Sequence, residues 1–183
     1  MIRVFVAFPL PLNWTESFMT ISKMNSSLEK FRWIPSENLH ITLFFIGEIE
    51  EKDLEQIAKK LNIVFRDHQA IHLFFESIEL RGKKNNPSML WGKFRESESF
   101  ISLAEKIYQS VKDLMTVEIV HKDPVPHCTL ARIKPRAENN LLKTEFILQS
   151  TDLHVDAAEL WKTIKYKEGV KYERLLHWNF NRE

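Results

Sequence analysis

Residues 40–43 read His-Ile-Thr-Leu and residues 127–130 read His-Cys-Thr-Leu, so one four-residue pattern occurs once in each half of the chain. Each copy continues into apolar residues of the kind that form a buried strand. Alternate side chains of a strand point to the same face, so the histidine and the threonine of each copy emerge together. The pattern therefore predicts two strands that each present one imidazole and one hydroxyl group on the same side.

Two such strands facing one cleft suit chemistry at phosphorus. The hydroxyl groups of Thr42 and Thr129 can hydrogen-bond phosphate oxygens, while His40 and His127 flank the phosphorus atom. Hydrolysis by in-line displacement benefits from a base on the attacking side and an acid on the leaving side. Histidine, with an ordinary pKa of about 6.5, performs either role near neutral pH. The two copies predict a paired acid–base site without metal or cofactor, and their symmetry leaves open which histidine is the acid.

The composition is that of an ordinary globular chain of 183 residues, with 44% hydrophobic and 28% charged residues. The formal net charge of +1 gives no global attraction to nucleic acid, and four glycines leave little room for a glycine-rich phosphate loop. One cysteine permits no intramolecular disulfide, and no apolar run approaches the roughly 18 residues of a membrane helix. We expect a soluble, cytoplasmic monomer with no membrane attachment and no obligate protein partner.

Hydrophobic patterning predicts the same order of elements twice, strand, helix, strand, helix, strand, in the approximate halves 1–86 and 87–183. The predicted fold class is α+β: one domain over residues 1–183, with two pseudo-symmetric lobes. Each lobe is an antiparallel sheet with helices on its outer face, and together they enclose a central cleft. The predicted strands are 3–8, 40–47, 71–80, 89–94, 127–133, 151–164 and an edge strand in 169–180, and the predicted helices are about 13–29, 50–62, 99–114 and 137–149.

Three stretches together resemble the two-histidine phosphoesterase superfamily, and within it the bacterial and archaeal RNA 2′,3′-cyclic phosphodiesterases once called 2′-5′ RNA ligases. They are RVFVAFPL at 3–10, RWIPSENLHITLFFIGEI at 32–49 and PHCTLAR at 126–132. The likeness continues to the tail GVKYERLLHW at 169–178, so it covers nearly the whole chain.

The resemblance implies a role for each motif residue. His40 is the proton donor to the leaving oxygen, His127 is the proton acceptor from the attacking water, and Thr42 and Thr129 bind phosphate. From its placement alone, Arg132 either stabilises charge on the phosphate oxygens or is an exposed strand-end residue, and the resemblance makes it a phosphate contact. The implied reaction opens an RNA terminal 2′,3′-cyclic phosphate to a 2′-phosphomonoester without metal or nucleotide cofactor, with 2′-5′ joining as a possible reverse reaction.

The sequence leaves other substrates and one other class of function open. The same mechanism would serve 2′-5′ oligonucleotides or small nucleotides with a cyclic phosphate, and the width of the cleft decides between them. A noncatalytic RNA- or nucleotide-binding module could keep the fold, although binding alone needs no pair of titratable groups on one phosphate. Cys128 is interpreted as a small buried hydrophobic residue rather than a nucleophile.

Further polar and aromatic residues have both a structural and a functional interpretation. Unmatched histidines are interpreted as ordinary core or surface residues: His68, His72, His121, His154 and His177. Basic residues that either contact RNA at the cleft mouth or lie in solvated loops are Arg81, Lys83, Lys84, Lys134 and Arg136. Trp33 and Trp91 either stack bases beside the phosphate or close a core.

Overall fold

The computed structural model describes residues 1–83, 86–116, 124–134, 151–167 and 169–181. These residues form nine strands and three α-helices. The strands are β1 (Ile2–Pro9), β2 (Phe31–Trp33), β3 (His40–Ile49), β4 (Ile71–Lys83), β5 (Asn86–Phe94), β6 (His127–Ile133), β7 (Asp152–Val155), β8 (Ala157–Tyr166) and β9 (Gly169–Asn179), and the helices are α1 (Leu12–Met24), α2 (Leu54–Phe65) and α3 (Glu98–Val111).

All nine strands join one curled antiparallel sheet, in the order β7-β4-β5-β6-β3-β1-β8-β9 with β2 paired to β6. The two motif strands, β3 and β6, meet in the middle of this order through the single register pair Ile41 and Cys128. Four strands of this order lie on each side of that junction, so the sheet has two pseudo-symmetric parts. This arrangement confirms the predicted α+β fold with two lobes.

The two lobes draw strands from both halves of the sequence. The boundary between residues 86 and 87 falls at the start of β5, inside the antiparallel β4–β5 pair, where Lys83 pairs with Asn86. Strand β8 pairs with β1, so late strands complete the lobe that the N-terminus begins. A division into sequence halves therefore does not describe the lobes, because pairing follows the sheet rather than chain order.

The helices pack on the lobes in the same interleaved way. Helix α1 follows β1 of one lobe but covers the other, where Trp14 and Phe18 contact Phe75 and Phe94 of β4 and β5. Gly92 of β5 makes this close approach possible, since a Cβ atom there would lie 2.8 Å from the Phe18 ring. Helix α3 packs against β3 and α2, and α2 also contacts β9. The part of the sheet in each lobe is thereby covered by helices on its outer face.

Several boundaries differ from the sequence predictions. Helix α1 ends at Met24 rather than near residue 29, because the Asn25 side chain bonds the Ile21 carbonyl at 2.9 Å and the chain then turns. Residues 51–53 form a 3₁₀ turn before α2, which begins at Leu54.

The strand predicted over residues 151–164 is two strands, broken at Asp156. Its first part, β7, forms one edge of the sheet beside β4, and its second part, β8, pairs with β1 and β9 near the other edge. The backbone carbonyl of Asp156 accepts a hydrogen bond from the Phe180 amide at this break. The predicted helix at 137–149 lies outside the described residues. None of the helices in the described residues is both long and apolar enough to cross a bilayer.

Candidate active site

A cleft of about 700 Å³ lies over the junction of β3 and β6. All five residues singled out in the sequence line it: His40, Thr42, His127, Thr129 and Arg132. Ile41 and Cys128 pair directly across the two antiparallel strands, so both side chains point to the same face. Because successive side chains of a strand point to opposite faces, the residues before and after this pair on both strands point into the cleft together. Ile41 and Cys128 themselves are fully buried behind the cleft.

A β-bulge follows the threonine in each motif strand. Leu43 of β3 has no partner in the pairing with β1, and Leu130 of β6 has no partner in the pairing with β5. A bulge residue has no partner of its own and shifts the alternation of side chains that follow it. Both leucines are buried. The leucine of the four-residue pattern is thus the bulge residue in both lobes.

The bulges decide which later side chains reach the cleft. With strict alternation along β6, the Arg132 side chain would point to the face opposite that of His127. The bulge at Leu130 shifts the alternation by one residue, so Arg132 points into the cleft and lines the cavity. Phe45 occupies the corresponding place after His40 and also lines the cavity. The two lobes therefore supply matching imidazoles and hydroxyls but differ at the fifth position after the histidine, a cation in one and an aromatic ring in the other.

His40 is held from both sides of its ring. Its Nδ1 atom lies 2.7 Å from the Asn38 carbonyl oxygen, and its Nε2 atom lies 3.1 Å from the Thr42 hydroxyl. A carbonyl can only accept, so Nδ1 carries the proton in the neutral ring and Nε2 has the lone pair. The Asn38 side chain in turn donates to the Val170 carbonyl at 2.9 Å and accepts from the Tyr172 amide. Strand β9 therefore fixes the orientation of His40.

His127 repeats this arrangement in the other lobe. Its Nδ1 atom lies 2.8 Å from the carbonyl oxygen of Val125, again two residues earlier in the chain. The Trp91 indole stacks on the His127 imidazole with ring centroids 3.5 Å apart and planes inclined by 16°. The guanidinium of Arg81 lies 4.9 Å from the centre of the Trp91 ring. Stacking and the carbonyl bond together restrict the ring of His127.

Burial lowers the pKa of both histidines. Desolvation is the largest cause at His40 and, together with repulsion from His127, lowers its pKa from 6.5 to about 4, although the Asn38 carbonyl opposes the change. The rings of Phe5, Trp161 and Tyr172 surround His40 at centroid distances of 5.1, 4.9 and 5.1 Å and keep water from it. In the protein without bound substrate, both imidazoles are therefore neutral at neutral pH.

The pKa of His127 is lowered in the same direction. Desolvation again has the largest effect, the Val125 carbonyl opposes it, and the positive charge of Arg81 adds to the lowering. Burial raises the pKa of Tyr172, with Arg132 and Arg3 acting against that rise. Two guanidinium groups, those of Arg81 and Arg132, line the cleft, which favours an anionic ligand.

The structure separates the other residues considered in the sequence. Trp91 and Arg81 line the cleft, whereas Trp33 packs against Phe31, with ring centroids 5.3 Å apart. Cys128 is buried, and burial raises the pKa of its thiol to about 12, which confirms its interpretation as a hydrophobic residue. Lys84, His121 and Arg136 lie outside the described residues.

Sequence reasoning missed the residues that orient and enclose His40. Asn38 binds His40 through its main-chain carbonyl, and a main-chain contact leaves no signal in the residue type. The same contact recurs at His127, where the carbonyl again belongs to the residue two positions earlier. Trp161 and Tyr172 come from strands far along the chain, and strand pairing alone brings them to His40. The alternation of side-chain types in residues 169–180 predicts the strand that contains Tyr172, but it does not predict that this ring lies beside His40.

Comparisons with known proteins give a family model and several curated relatives that match this chain. The family model for LigT-like phosphoesterases matches residues 16–91, which contain the first motif. The chain is 30% identical over 132 residues to the RNA 2′,3′-cyclic phosphodiesterase of Archaeoglobus fulgidus, covering 72% of this chain and 73% of the relative. It is also 30% identical over 153 residues to the protein of the same name from Thermus thermophilus, covering 74% and 70%.

Solved structures show the same fold. The protein TT0787 of Thermus thermophilus superposes with a TM-score of 0.84 at 22% identity, over 97% of both chains. LigT of E. coli superposes with a TM-score of 0.74 at 19% identity, over 98% of this chain and 97% of that one. Given the paired motifs in one cleft and these relatives, the chain belongs to the LigT-like phosphoesterase family of the two-histidine superfamily and is a phosphoesterase.

Proposed function

We propose that this phosphoesterase hydrolyses the terminal 2′,3′-cyclic phosphate of RNA to a 2′-phosphomonoester, with the two histidines as acid and base and without a metal. The observation that carries the proposal is the convergence of two Nε2 atoms on one cleft. Each Nδ1 is occupied by a backbone carbonyl, so proton transfer at each ring is directed to Nε2.

The proposed step is an in-line displacement at phosphorus. A water oxygen attacks the phosphorus atom while Nε2 of His127 takes its proton. The bond between phosphorus and the 3′ oxygen breaks, and that oxygen takes a proton from Nε2 of His40. The phosphate stays on the 2′ oxygen, and proton exchange with solvent restores both rings. Acid–base catalysis of this kind contributes roughly 10²- to 10⁴-fold.

Thr42, Thr129 and Arg132 are proposed to hold the phosphate. Hydroxyl donors and a guanidinium suit the non-bridging oxygens, whose charge must be stabilised as the bond breaks. These donors lie on strands of one sheet, which holds them in a rigid arrangement.

The proposed donor role of His40 requires substrate binding to raise its pKa. The pKa of about 4 leaves the ring neutral at pH 7 before substrate arrives. A cyclic phosphate is an anion, and a negative charge within a few ångströms in this poorly hydrated pocket favours the protonated ring. With the phosphate beside it, the His40 ring takes up a proton from solvent, and this is the proton that the leaving oxygen needs. The acid and base roles follow the family resemblance.

The proposed substrate rests on the names of the relatives and on the cleft. Curated relatives from Archaeoglobus fulgidus and Thermus thermophilus are RNA 2′,3′-cyclic phosphodiesterases. A cleft of about 700 Å³ accommodates a terminal nucleotide, and it opens beside two arginines that suit a phosphate backbone. Joining of RNA ends through a 2′-5′ linkage is the reverse of the same displacement and is proposed as a side activity. The protein is further proposed to act as a cytoplasmic monomer.

The test uses an RNA oligomer that ends in a 2′,3′-cyclic phosphate, incubated with purified protein in the presence of EDTA. The wild-type protein is compared with His40→Ala and His127→Ala, and His68→Ala serves as a matched control because His68 contacts Phe180 rather than the cleft. The terminal group is identified by its sensitivity to phosphatase and to a 3′-specific kinase-phosphatase.

The expected result is a 2′-phosphate product from the wild type and the control, with at least a ~10²-fold loss in both cleft variants. Activity that EDTA abolishes would refute the metal-independent mechanism. RNA that is bound but never cleaved would make the protein a binding module, and cleavage of small cyclic nucleotides alone would keep the mechanism but replace the substrate.

A further inference from the structure

A second group of histidines lies away from the cleft, on the edge strand β7 and its neighbour β4. His72 and His154 are directly opposite each other in the antiparallel register. Their neighbours Ile71 and Leu153 are buried in the core, so the two imidazoles stand on the opposite face of the sheet, away from the core. The side chain of His72 is 42% exposed, which leaves it accessible to solutes.

The two imidazole rings lie within hydrogen-bond distance of each other. Nε2 of His72 and Nδ1 of His154 are 3.3 Å apart. Two nitrogen ligands at zinc–nitrogen distances of about 2.0–2.1 Å and a tetrahedral angle are separated by about 3.3–3.4 Å. The observed spacing is therefore that of two adjacent ligands of a tetrahedral metal ion, and it is wider than the roughly 2.9 Å of a square-planar pair.

Asp152 binds the other ring nitrogen of His72. Both of its carboxylate oxygens lie 2.9 Å from Nδ1 of His72. A histidine that binds a metal commonly donates its other ring N–H to a carboxylate, which fixes the tautomer and strengthens the ligand. Here the Nδ1 proton of His72 is committed to Asp152, so the lone pair of Nε2 points away from the carboxylate and toward His154.

We infer that His72 and His154 form a zinc-binding site, with Asp152 orienting His72 and with water or a further ligand in the remaining positions. Zn²⁺ bonds to Nε2 of His72 and to Nδ1 of His154. The proton that bridges the two nitrogens must leave: in neutral His154 it moves from Nδ1 to Nε2 by exchange with solvent. No group of three or more potential ligands is found among the described residues, so the protein supplies two ligands here, fewer than the three or four protein ligands of ordinary zinc sites.

Binding here would fasten the edge of the sheet. Strand β7 is four residues long and, within the part of the chain that the structure describes, pairs with β4 alone. A metal ion bound to both strands stabilises their pairing, because it binds the folded arrangement and not the unfolded chain. The site is independent of the proposed catalytic mechanism, which operates in the presence of EDTA.

The test is calorimetric titration of the metal-stripped protein with ZnCl₂ near pH 7.5, together with long-range ¹H–¹⁵N spectra of the imidazole rings. The expected result is one zinc ion per chain, with perturbed Nε2 of His72 and Nδ1 of His154. His72→Gln and His154→Gln should each weaken binding at least tenfold, and Asp152→Asn by roughly tenfold through loss of the orienting bond. His68→Gln and His40→Gln are matched controls that should bind as the wild type does.

Three results would overturn the inference. These are the absence of zinc binding, binding that survives both His72→Gln and His154→Gln, and binding that is lost in His40→Gln, which would place the ion in the cleft. A rise in the thermal midpoint with zinc in the wild type, absent from the folded His154→Gln variant, would support the link between β4 and β7. Because the readouts are binding and stability, failure here is distinct from failure of the proposed activity.

Discussion

The low pKa of His40 predicts that acid destabilises this protein more than it destabilises a variant without that ring. Folding transfers the imidazole from water into a pocket of three aromatic rings, and this lowers its pKa from 6.5 to about 4. Between these pH values the unfolded chain binds a proton at His40 that the folded chain does not. The free energy of unfolding must therefore fall as the pH falls from about 6.5 toward 4.

The magnitude follows from linkage. A pKa change from 6.5 to about 4 corresponds to at most about 3.4 kcal/mol of stability, lost completely only below pH 4. At pH 5 the loss from this one group is about 2 kcal/mol, and at pH 7.5 it is close to zero. That amount is a large fraction of the stability of a typical domain.

The assay compares urea unfolding of the wild type and His40→Gln at pH 7.5 and at pH 5.0. Glutamine retains an N–H that can donate to the Asn38 carbonyl, yet it does not titrate. The wild type should lose about 2 kcal/mol more than the variant between these two pH values. The comparison concerns the change with pH, so any difference in absolute stability from the loss of ring contacts cancels.

Equal losses in the two proteins would refute this account of His40. They would mean that the ring titrates in the folded state as it does in the unfolded chain, and hence that the aromatic pocket is well hydrated. A direct titration of the His40 ring by NMR is an independent check, with a midpoint well below 6.5 expected. In His127→Gln the midpoint should rise, because the positive charge of His127 no longer opposes protonation of His40.

Three further predictions concern the cleft and its support. Because burial lowers the pKa of both histidines that we propose as acid and base, kcat/KM should follow a bell-shaped pH curve with its maximum between about 4 and 6.5, and a maximum above pH 7 would contradict this. Trp91→Leu removes the ring stacked on His127, so kcat/KM should fall roughly tenfold or more with the thermal midpoint little changed; unchanged kinetics would show that stacking does not position the imidazole. Gly92→Ala places a Cβ against Phe18 and should lower the free energy of unfolding by about 1–3 kcal/mol in urea titrations, whereas a stability equal to the wild type would mean that α1 moves freely.

The sequence alone determined most of the elements and the pairing of a histidine with a threonine in each motif. Alternation along β3 and β6 requires His40 and Thr42, and likewise His127 and Thr129, to share a face, because successive side chains of a strand point in opposite directions. Amphipathic periodicity located α1, α2 and α3, with errors of a few residues at their ends. These features depend on neighbouring residues, and local sequence carries that information.

Tertiary structure decided what lies around those side chains. The bulge at Leu130 turns Arg132 into the cleft, although plain alternation would turn it away, because register is set by pairing with β5 and not by β6 itself. The aromatic pocket that lowers the pKa of His40 includes Tyr172, far later in the chain. Lobe composition likewise follows strand pairing rather than chain order. Such features depend on contacts between residues distant in sequence, and a local pattern contains no record of which distant strand becomes the neighbour.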